Sequence, residues 1–454
     1  MSSLEKLKRQ LNYDKTFDCV QCGYCLPACP TYETMGEEKH SPRGRINLVK
    51  MAGEGRIGLE TLREPLEKCL GCRACQTVCP TNVQYGEILE GAKHALDQND
   101  TKSRARQITE DLIFNKLFPS RRWMNTIGNA TWFYQKTGLQ KLAGRIGLTS
   151  LAPLNLDKFE AVLPAVPSPM ERSKTPNFLE ARTNKKLRVG FITGCVMDSV
   201  FHQTNKNTIE LLSIAGAEVV IPGSQTCCGA LHAHSGKMET ARELAKRNIL
   251  AFEQTDVDYI VNNAGGCGAM LAEYHHLFKD DEEWSTRAQR FVNRSKDVSV
   301  ILSMLDGLEF TKEINEVVTY QASCHLTHVQ KVTIEPKALL QKIPGIRYKE
   351  MKDYDRCCGS AGIYNIVNYE DSMDILDLKM EKAKQTSAAT IVTTNPGCLL
   401  QMQLGIKRED LEDSVRAVHL IDLLMEARPV FKRETNGQIS ALPFEGQAYE
   451  LMNE

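Results

Sequence analysis

Sixteen cysteines carry most of the chemistry available to this 454-residue chain, and every one of them falls in a pattern. Cys19, Cys22, Cys25 and Cys29 recur as Cys69, Cys72, Cys75 and Cys79, each displaced by 50 residues, and both copies close with Cys-Pro-Thr. Each run reads C-x2-C-x2-C-x3-C-P. Three thiolates three residues apart can wrap one face of an iron–sulfur cubane, while the fourth, followed by proline, points to a neighbouring cluster. The expected ligand sets are therefore crossed. Cys19, Cys22, Cys25 and Cys79 would hold one [4Fe–4S] cluster, and Cys69, Cys72, Cys75 and Cys29 the other. Gly23 and Gly71 would relieve crowding where the backbone turns around each cluster. Zinc knuckles use two C-x2–4-C pairs per metal, often with histidine, and have no need of this run twice.

The other eight cysteines form a second repeat. Cys195, Cys227-Cys228-Gly229 and Cys267 return as Cys324, Cys357-Cys358-Gly359 and Cys398, at offsets of 129, 130 and 131 residues. In the first copy cysteines follow the apolar, strand-like runs of KKLRVGFITGC, EVVIPGSQTCCG and VDYIVNNAGGC, and in the second those of NEVVTYQASC and TIVTTNPGC. The carboxyl ends of strands are where open α/β sheets place their ligands. Four convergent thiols there suit a further cluster, a zinc ion or a redox-active thiol group. Burial as small hydrophobes is the bland alternative, and a matched Cys-Cys-Gly argues against it.

The elements that must hold these cysteines follow from periodicity. SPRGRINLVKMAGEGRIG and TLREPLEKCLGC read as helix pieces between the first two runs, so an α-helical ferredoxin-like module is expected there. HQTNKNTIELLSIAG and KMETARELAKRNILAFEQ are amphipathic helices between strands. Strands alternating with helices imply a parallel, doubly wound sheet, present twice. The expected fold is thus multidomain. Residues 1–105 form the two-cluster module, and 106–185 a helical basic and aromatic stretch with a proline-rich linker (LPAVPSPMERSKTP). Residues 186–300 and 301–430 form two duplicated α/β cysteine-rich domains, and 431–454 a tail.

Composition is that of a soluble globular protein, with 42% hydrophobic and 25% charged residues. A formal net charge of −1 argues against a nucleic-acid binder. No secretory signal and no apolar run long enough for a transmembrane helix is expected. The expected location is cytoplasmic, where so many thiols mean metal or redox chemistry rather than structural disulfides.

Lesser signals remain. Arg43 and Arg45 are candidates for balancing the charge of a thiolate-ligated cluster, or are solvated or partner-pairing arginines. His232, His234, His325 and His328 lie near the later cysteines as candidate ligands or proton donors, with His325 the strongest and His234 reading as a satisfied loop residue. NNAGGCG lacks the dinucleotide fingerprint and follows the third strand of its unit, so its glycines are expected to let the backbone approach whatever Cys267 binds. From Leu112 to Leu156 there are six Lys/Arg and no Asp or Glu, with Trp123, Trp132, Phe133 and Tyr134 among them. That stretch suits a membrane interface, a docking face for another subunit, or an internal helical hairpin.

A C…CCG…C pair behind two ferredoxin-type runs resembles the glycolate oxidase iron–sulfur subunit family. The words QCGYCLPACPTY, SPRGRI, CLGCRACQTVCPT, TCCGALHAHSG, CHLTH and CCGSAGIYN carry the likeness across roughly residues 8–430. Related groups are the C subunit of anaerobic glycerol-3-phosphate dehydrogenase, lactate-utilisation iron–sulfur proteins and heterodisulfide reductase B subunits. The resemblance implies an accessory, non-catalytic subunit of an oxidoreductase. Such a subunit takes electrons from a flavin-binding partner that oxidises a 2-hydroxy acid and passes them toward a quinone or other membrane acceptor. Peripheral attachment to the inner face of the cell membrane would accompany that role. One departure stands out. Heterodisulfide reductase relatives have C-x-x-C at the last cysteine, whereas here the stretches are Cys267-Gly-Ala-Met270 and Cys398-Leu-Leu-Gln401. The missing thiolate weighs against a disulfide or quinone reductase centred on these domains. A zinc-stabilised scaffold is the third class of reading.

Overall fold

The computed structural model describes residues 3–100, 103–145, 155–435 and 438–441. Among them the first 177 positions hold helices and no strand. The helix Pro42–Gly53 starts where Pro42 fixes the first turn and Ser41 Oγ accepts from the Gly44 amide at 2.9 Å. Helices Arg63–Glu67 and Tyr85–Asn99 follow. Ile46, Val49, Leu62, Leu66, Ile88, Leu89 and Ala92 pack into one core that also takes in Cys69 and Cys75. The insertion between the two cysteine runs is therefore helical, and it encloses the cluster loops from one side.

Strands begin at β1 (Phe178–Leu179) and β2 (Leu187–Phe191), then β3 (Ala217–Val220), β4 (Tyr259–Asn262), β5 (Ser295–Asp297) and β6 (Leu308–Phe310). The second half brings β7 (Val317–Tyr320), β8 (Arg347–Tyr348), β9 (Thr390–Thr393), β10 (Arg416–His419), β11 (Pro429–Thr435) and β12 (Gln438–Ala441). One sheet runs β1-β3-β2-β4-β5 and another β10-β9-β7-β8. Apart from the antiparallel edge β1, both are parallel throughout and share one order, with β3, β2, β4 and β5 answering to β8, β7, β9 and β10. Register matches as well: Val189 sits opposite Tyr259, and Val318 opposite Thr390. The duplication seen in the cysteines extends to the sheets.

The two halves are not beads on a string. Val189, Phe191, Leu211 and Leu212 share one core with Val318, Tyr320, Leu339 and Leu420. Thr204 and Asn207 both donate to the Asp422 carboxylate, at 2.7 and 2.8 Å. A third, antiparallel sheet, β12-β11-β6, ties the chain end back to the junction between the halves. The region expected as a tail thus begins with strand residues, and positions 442–454 of it lie outside the described residues.

The proline-rich stretch is docked rather than free. Gln135 donates to the Pro164 carbonyl and accepts from the Val166 amide, and Ser168 and Glu171 form a capping box on the helix Pro169–Ser173. Among the described residues no helix is long and apolar enough to cross a membrane.

Asp297 closes β5 and caps the helix Val298–Leu305. Its Oδ1 accepts from the Ser299 amide and hydroxyl, while Oδ2 is buried without a partner. Burial pushes this carboxyl up to about 6, only partly opposed by Ser299. The folded value exceeds the unfolded one, so the protonated form stabilises the fold at low pH, and that stability is lost as pH rises from the ordinary carboxylate range through about 6. The difference is on the order of 3 kcal/mol. Asp297→Asn keeps the capping oxygen and removes the charge. It should raise the apparent Tm by a few degrees at about pH 8 and by much less at about pH 5, read by thermal melts of both proteins at each pH.

Candidate metal centres

Two loops of the same shape carry the first six thiols. In Cys19–Cys25 the backbone turns left-handed at Gln21 (φ 58°) and Gly23 (φ 87°), and in Cys69–Cys75 at Gly71 (φ 63°) and Arg73 (φ 63°). Both loops therefore strain at the same two positions, and glycine relieves a different one in each. The turns aim three thiols inward. Cys29 and Cys79 each close a short turn just before a proline, with the Cys29 amide bonded back to Leu26 and the Cys79 amide to Gln76.

One pocket, with about 400 Å³ of empty space, is lined by Cys19, Cys22, Cys25 and Cys79, and Cys75 reaches its wall. An adjoining pocket of about 300 Å³ is lined by Cys29, Cys69, Cys72 and Cys75. The fold thus crosses the two runs, bringing the last cysteine of each to the first three of the other. Among the described residues no set of three or more Cys, His, Asp or Glu groups closes on a single metal ion. Four thiols lining a space of this size leave room for a multi-atom cluster. The first pocket is the open one: Cys22 is exposed, and Phe17, Val20, Tyr24 and Val78 stand exposed around it. In the second, Cys29, Cys69 and Cys75 are buried and Cys72 half-buried.

Charge around the second pocket fits the same group. Arg45 is 1% exposed and forms no ion pair among the described residues; it donates to the Pro65 carbonyl at 2.7 Å and to Thr31 Oγ1 at 3.1 Å, and its Nη1 stands 4.0 Å from Cys29 Sγ. Burial works against its charge, but the Cys69 and Cys29 thiols and the Tyr85 hydroxyl outweigh burial, and its pKa is raised. A buried cation whose hydrogen-bond partners are a carbonyl, a hydroxyl and a thiol calls for a negative partner, which a thiolate-ligated cluster provides. Arg43 differs. It makes a two-pronged pair with Glu38 and donates to the Gln21 carbonyl, so it braces the first loop.

The later cysteines sit at helix starts beyond the strands. Cys195 precedes Val196–Ser199, Cys267 lies in the first turn of Gly265–Ala272, Cys324 opens Cys324–His328, and Cys398 lies in the first turn of Pro396–Arg408. Gly229 (φ 86°) and Gly359 (φ 93°) turn the chain directly after each Cys-Cys pair. Thiol contacts run Cys195 to Cys227 (3.6 Å) to Cys228 to Cys267, and likewise Cys324 to Cys357 to Cys358 to Cys398. In both copies the middle thiol, Cys228 or Cys358, is held well below its ordinary value by hydrogen bonds from its two neighbours.

The four quartets are strung together. Leu70 and Cys72 of the second pocket share an apolar cluster with Cys324, Cys357 and Tyr364. Cys267, Cys358 and Cys398 share another, which joins the two cysteine-rich halves. Beyond it a pocket of about 340 Å³ opens over Cys195 and Cys227, between them and Phe118, Arg121 and Met124 of the linker helices.

The four histidines make their hydrogen bonds and ion pairs away from the thiols. His232 Nε2 donates to the Phe114 carbonyl at 2.7 Å, and His325 Nε2 to the Gly71 carbonyl at 3.0 Å. His328 bonds Thr77 and the Asp355 carbonyl, and His234 stands 3.6 Å from Glu90. They fasten the cysteine-rich halves to the helical module and linker. The NNAGGCG glycines also serve packing between halves: a Cβ on Gly265 would meet Ser323 Oγ at 2.3 Å, and the Gly266 amide donates to Asn395 Oδ1.

Sequence reasoning missed the ionic core of that joint. Arg73, 5% exposed, bridges Glu90 at 3.1 Å and Glu273 at 3.5 Å, and only a glycine at position 86 leaves room for its guanidinium. Burial alone would raise the Glu90 carboxyl, but His234 and Arg73 hold it down at about 2. The one local signal was an arginine placed inside a cysteine loop.

Three family models match, in four places. A 4Fe-4S dicluster domain covers residues 15–83, the linker region of the glycolate oxidase iron-sulfur subunit 105–163, and a cysteine-rich domain 189–272 and again 318–403. The probable glycolate oxidase iron-sulfur subunit of Bacillus subtilis (strain 168) is 49% identical over 426 residues, spanning 93% of this chain and 96% of that protein. The glycolate oxidase iron-sulfur subunit of Escherichia coli (strain K12) is 27% identical over 383 residues, or 84% and 88% of the two chains. Lactate utilization protein A of Oceanobacillus iheyensis is 34% identical over 239 residues, 52% of this chain and 96% of that one.

Proposed function

The chain belongs to the glycolate oxidase iron–sulfur subunit family, and on that premise we propose that it is the electron-relaying subunit of a flavin-dependent 2-hydroxy-acid dehydrogenase, with glycolate as the acid. The observation that carries this reading is the alignment of thiol quartets. Two crossed sets line adjoining pockets with Cys75 on both walls, and the second set touches the Cys324–Cys357 quartet. We assign Cys19, Cys22, Cys25 and Cys79 to one [4Fe–4S] cluster and Cys69, Cys72, Cys75 and Cys29 to a second. Bound there, such clusters supply one-electron storage without proton chemistry of their own.

The residues of this chain do the rest. Cys22 and its apolar surroundings leave the first pocket open to a flavin-binding partner. The core around Ile46 and Leu89 excludes water from the second, and Arg45 compensates its charge. His325 and the Arg73–Glu90–Glu273 bridge hold the Gly71 loop against the cysteine-rich halves, fixing the spacing between thiol sets. Hydride or electron removal from the acid belongs to the partner's flavin, and the far end of the series faces a membrane acceptor such as a quinone. Glycolate is favoured over lactate because the linker model matches residues 105–163, while the lactate-utilisation relative spans only half the chain.

Iron and sulfide analysis of anaerobically purified protein tests the assignment. About eight iron per chain is expected from the two ferredoxin-type pockets alone. Zinc without iron would end the relay reading, and failure to bind any flavoprotein while carrying iron would end only the partner assignment.

A further inference from the structure

The helix Arg121–Lys136 has two unlike faces. Its inner face, with Met124 and Gly128 buried, packs on the Val196–Ser199 segment, and Arg121 reaches Asp198 at 3.3 Å, so this face roofs the pocket over Cys195 and Cys227. Its outer face carries Trp123 at 53% exposure, Ile127 at 43% and Phe133 at 55%, within one stripe at helical spacing. Leu139 and Leu142 of the next helix, and Ile108 and Leu112 of the preceding turns, extend the exposed apolar surface. Arg122 and Lys136 flank the stripe, exposed and without an ion pair among the described residues. No carboxylate falls between Leu112 and Leu156.

We propose that this face lies on an anionic lipid bilayer, with the aromatic and aliphatic side chains in the headgroup–acyl boundary and the flanking cations on lipid phosphates. An exposed apolar patch is stabilised by any apolar cover. Uncompensated positive charge bordering the stripe selects a negative one, and an amphipathic helix with exposed Trp and Phe beside Arg and Lys has the composition of an interfacial element. The consequence lies on the helix's other side. With the outer face on the membrane, the Cys195–Cys227 pocket comes to sit about one helix diameter, roughly 10 Å, from the lipid surface. The thiol set that ends the series of contacts from the first pocket then becomes the one nearest a membrane-dissolved acceptor. This last step rests on the relay reading; the bilayer contact does not.

Cosedimentation with vesicles tests it, using the metal-loaded full chain. Binding is expected to vesicles of phosphatidylglycerol mixed with phosphatidylcholine, to fall with added salt, and to be weak on phosphatidylcholine alone. Trp123 emission should shift to the blue on binding. The triple change Trp123→Ser, Ile127→Ser and Phe133→Ser should weaken binding at least about tenfold with iron content and the paramagnetic spectrum unchanged, and Arg122→Gln with Lys136→Gln should abolish the preference for anionic lipid. Wild-type protein that ignores anionic vesicles overturns the proposal. So does a triple variant that binds vesicles normally but no longer retains its flavoprotein partner, which would make the face a protein interface.

Discussion

Cys79→Ala should empty the pocket built on Cys19, Cys22 and Cys25 and spare the one nearest Cys79 in sequence. The crossed lining of the two pockets demands it: Cys79 stands with the first run, Cys29 with the second. Each single change should lower iron by about four per chain, so the count alone does not tell the variants apart. Burial does. Cys22 is exposed and Cys19, Cys25 and Cys79 are half-buried, whereas Cys29, Cys69 and Cys75 are buried. An iron chelator acting on native protein should therefore release iron in a fast and a slow phase. Cys79→Ala should remove the fast phase, and Cys29→Ala the slow one. The opposite pairing of variant and phase would show uncrossed ligands and refute the assignment.

Arg45→Met is expected to lower the reduction potential of the buried centre. Reduction adds negative charge, and a fixed cation nearby stabilises the reduced form. For a charge about 7 Å away in a medium of effective dielectric about 20, Coulomb's law gives roughly 2.4 kcal/mol, on the order of 100 mV for one electron. Methionine fills much of the volume without the charge. The effect should be selective, leaving the exposed centre within about a fifth of that shift. Arg45→Lys should recover most of the potential while losing the fork to Pro65 and Thr31. Redox titration followed by paramagnetic resonance reads all three proteins. An unchanged potential in the methionine variant would make Arg45 a purely structural residue.

Much of this arrangement was legible because its signals are local. Cysteine spacing fixed which thiols could share a loop, and short apolar runs before Cys195, Cys267, Cys324 and Cys398 marked strands that the sheets contain. Left-handed turns were half legible: Gly23 and Gly71 announced themselves, whereas Gln21 and Arg73 adopt the same strained backbone with side chains that carry no such signature. Arg43 and Arg45 could not be told apart in sequence. Two residues of separation on one helix put Arg43 at the surface against Glu38 and Arg45 in the core against Cys29. The partners of the histidines were not legible, because proximity in sequence to Cys228 and Cys324 says nothing of where the ring points. His232 and His325 reach back across 118 and 254 positions to carbonyls of other domains. The pairing of β6 with β11 went unseen because it joins segments more than a hundred residues apart, and β12, the hairpin partner of β11, falls in the stretch read as a tail.

The shared core of the cysteine-rich halves has a consequence for ancestry. A solitary half would leave the surface around Phe191, Leu212 and their counterparts facing water, and would have had to pair with a second copy of itself. Such a homodimer holds two identical thiol sites, each obliged to do whatever the other does. Two halves in one chain are free of that obligation. One site could then turn toward the helical module through Cys324, and its twin toward the roofing helix through Cys195. A symmetric pair thereby acquired a direction.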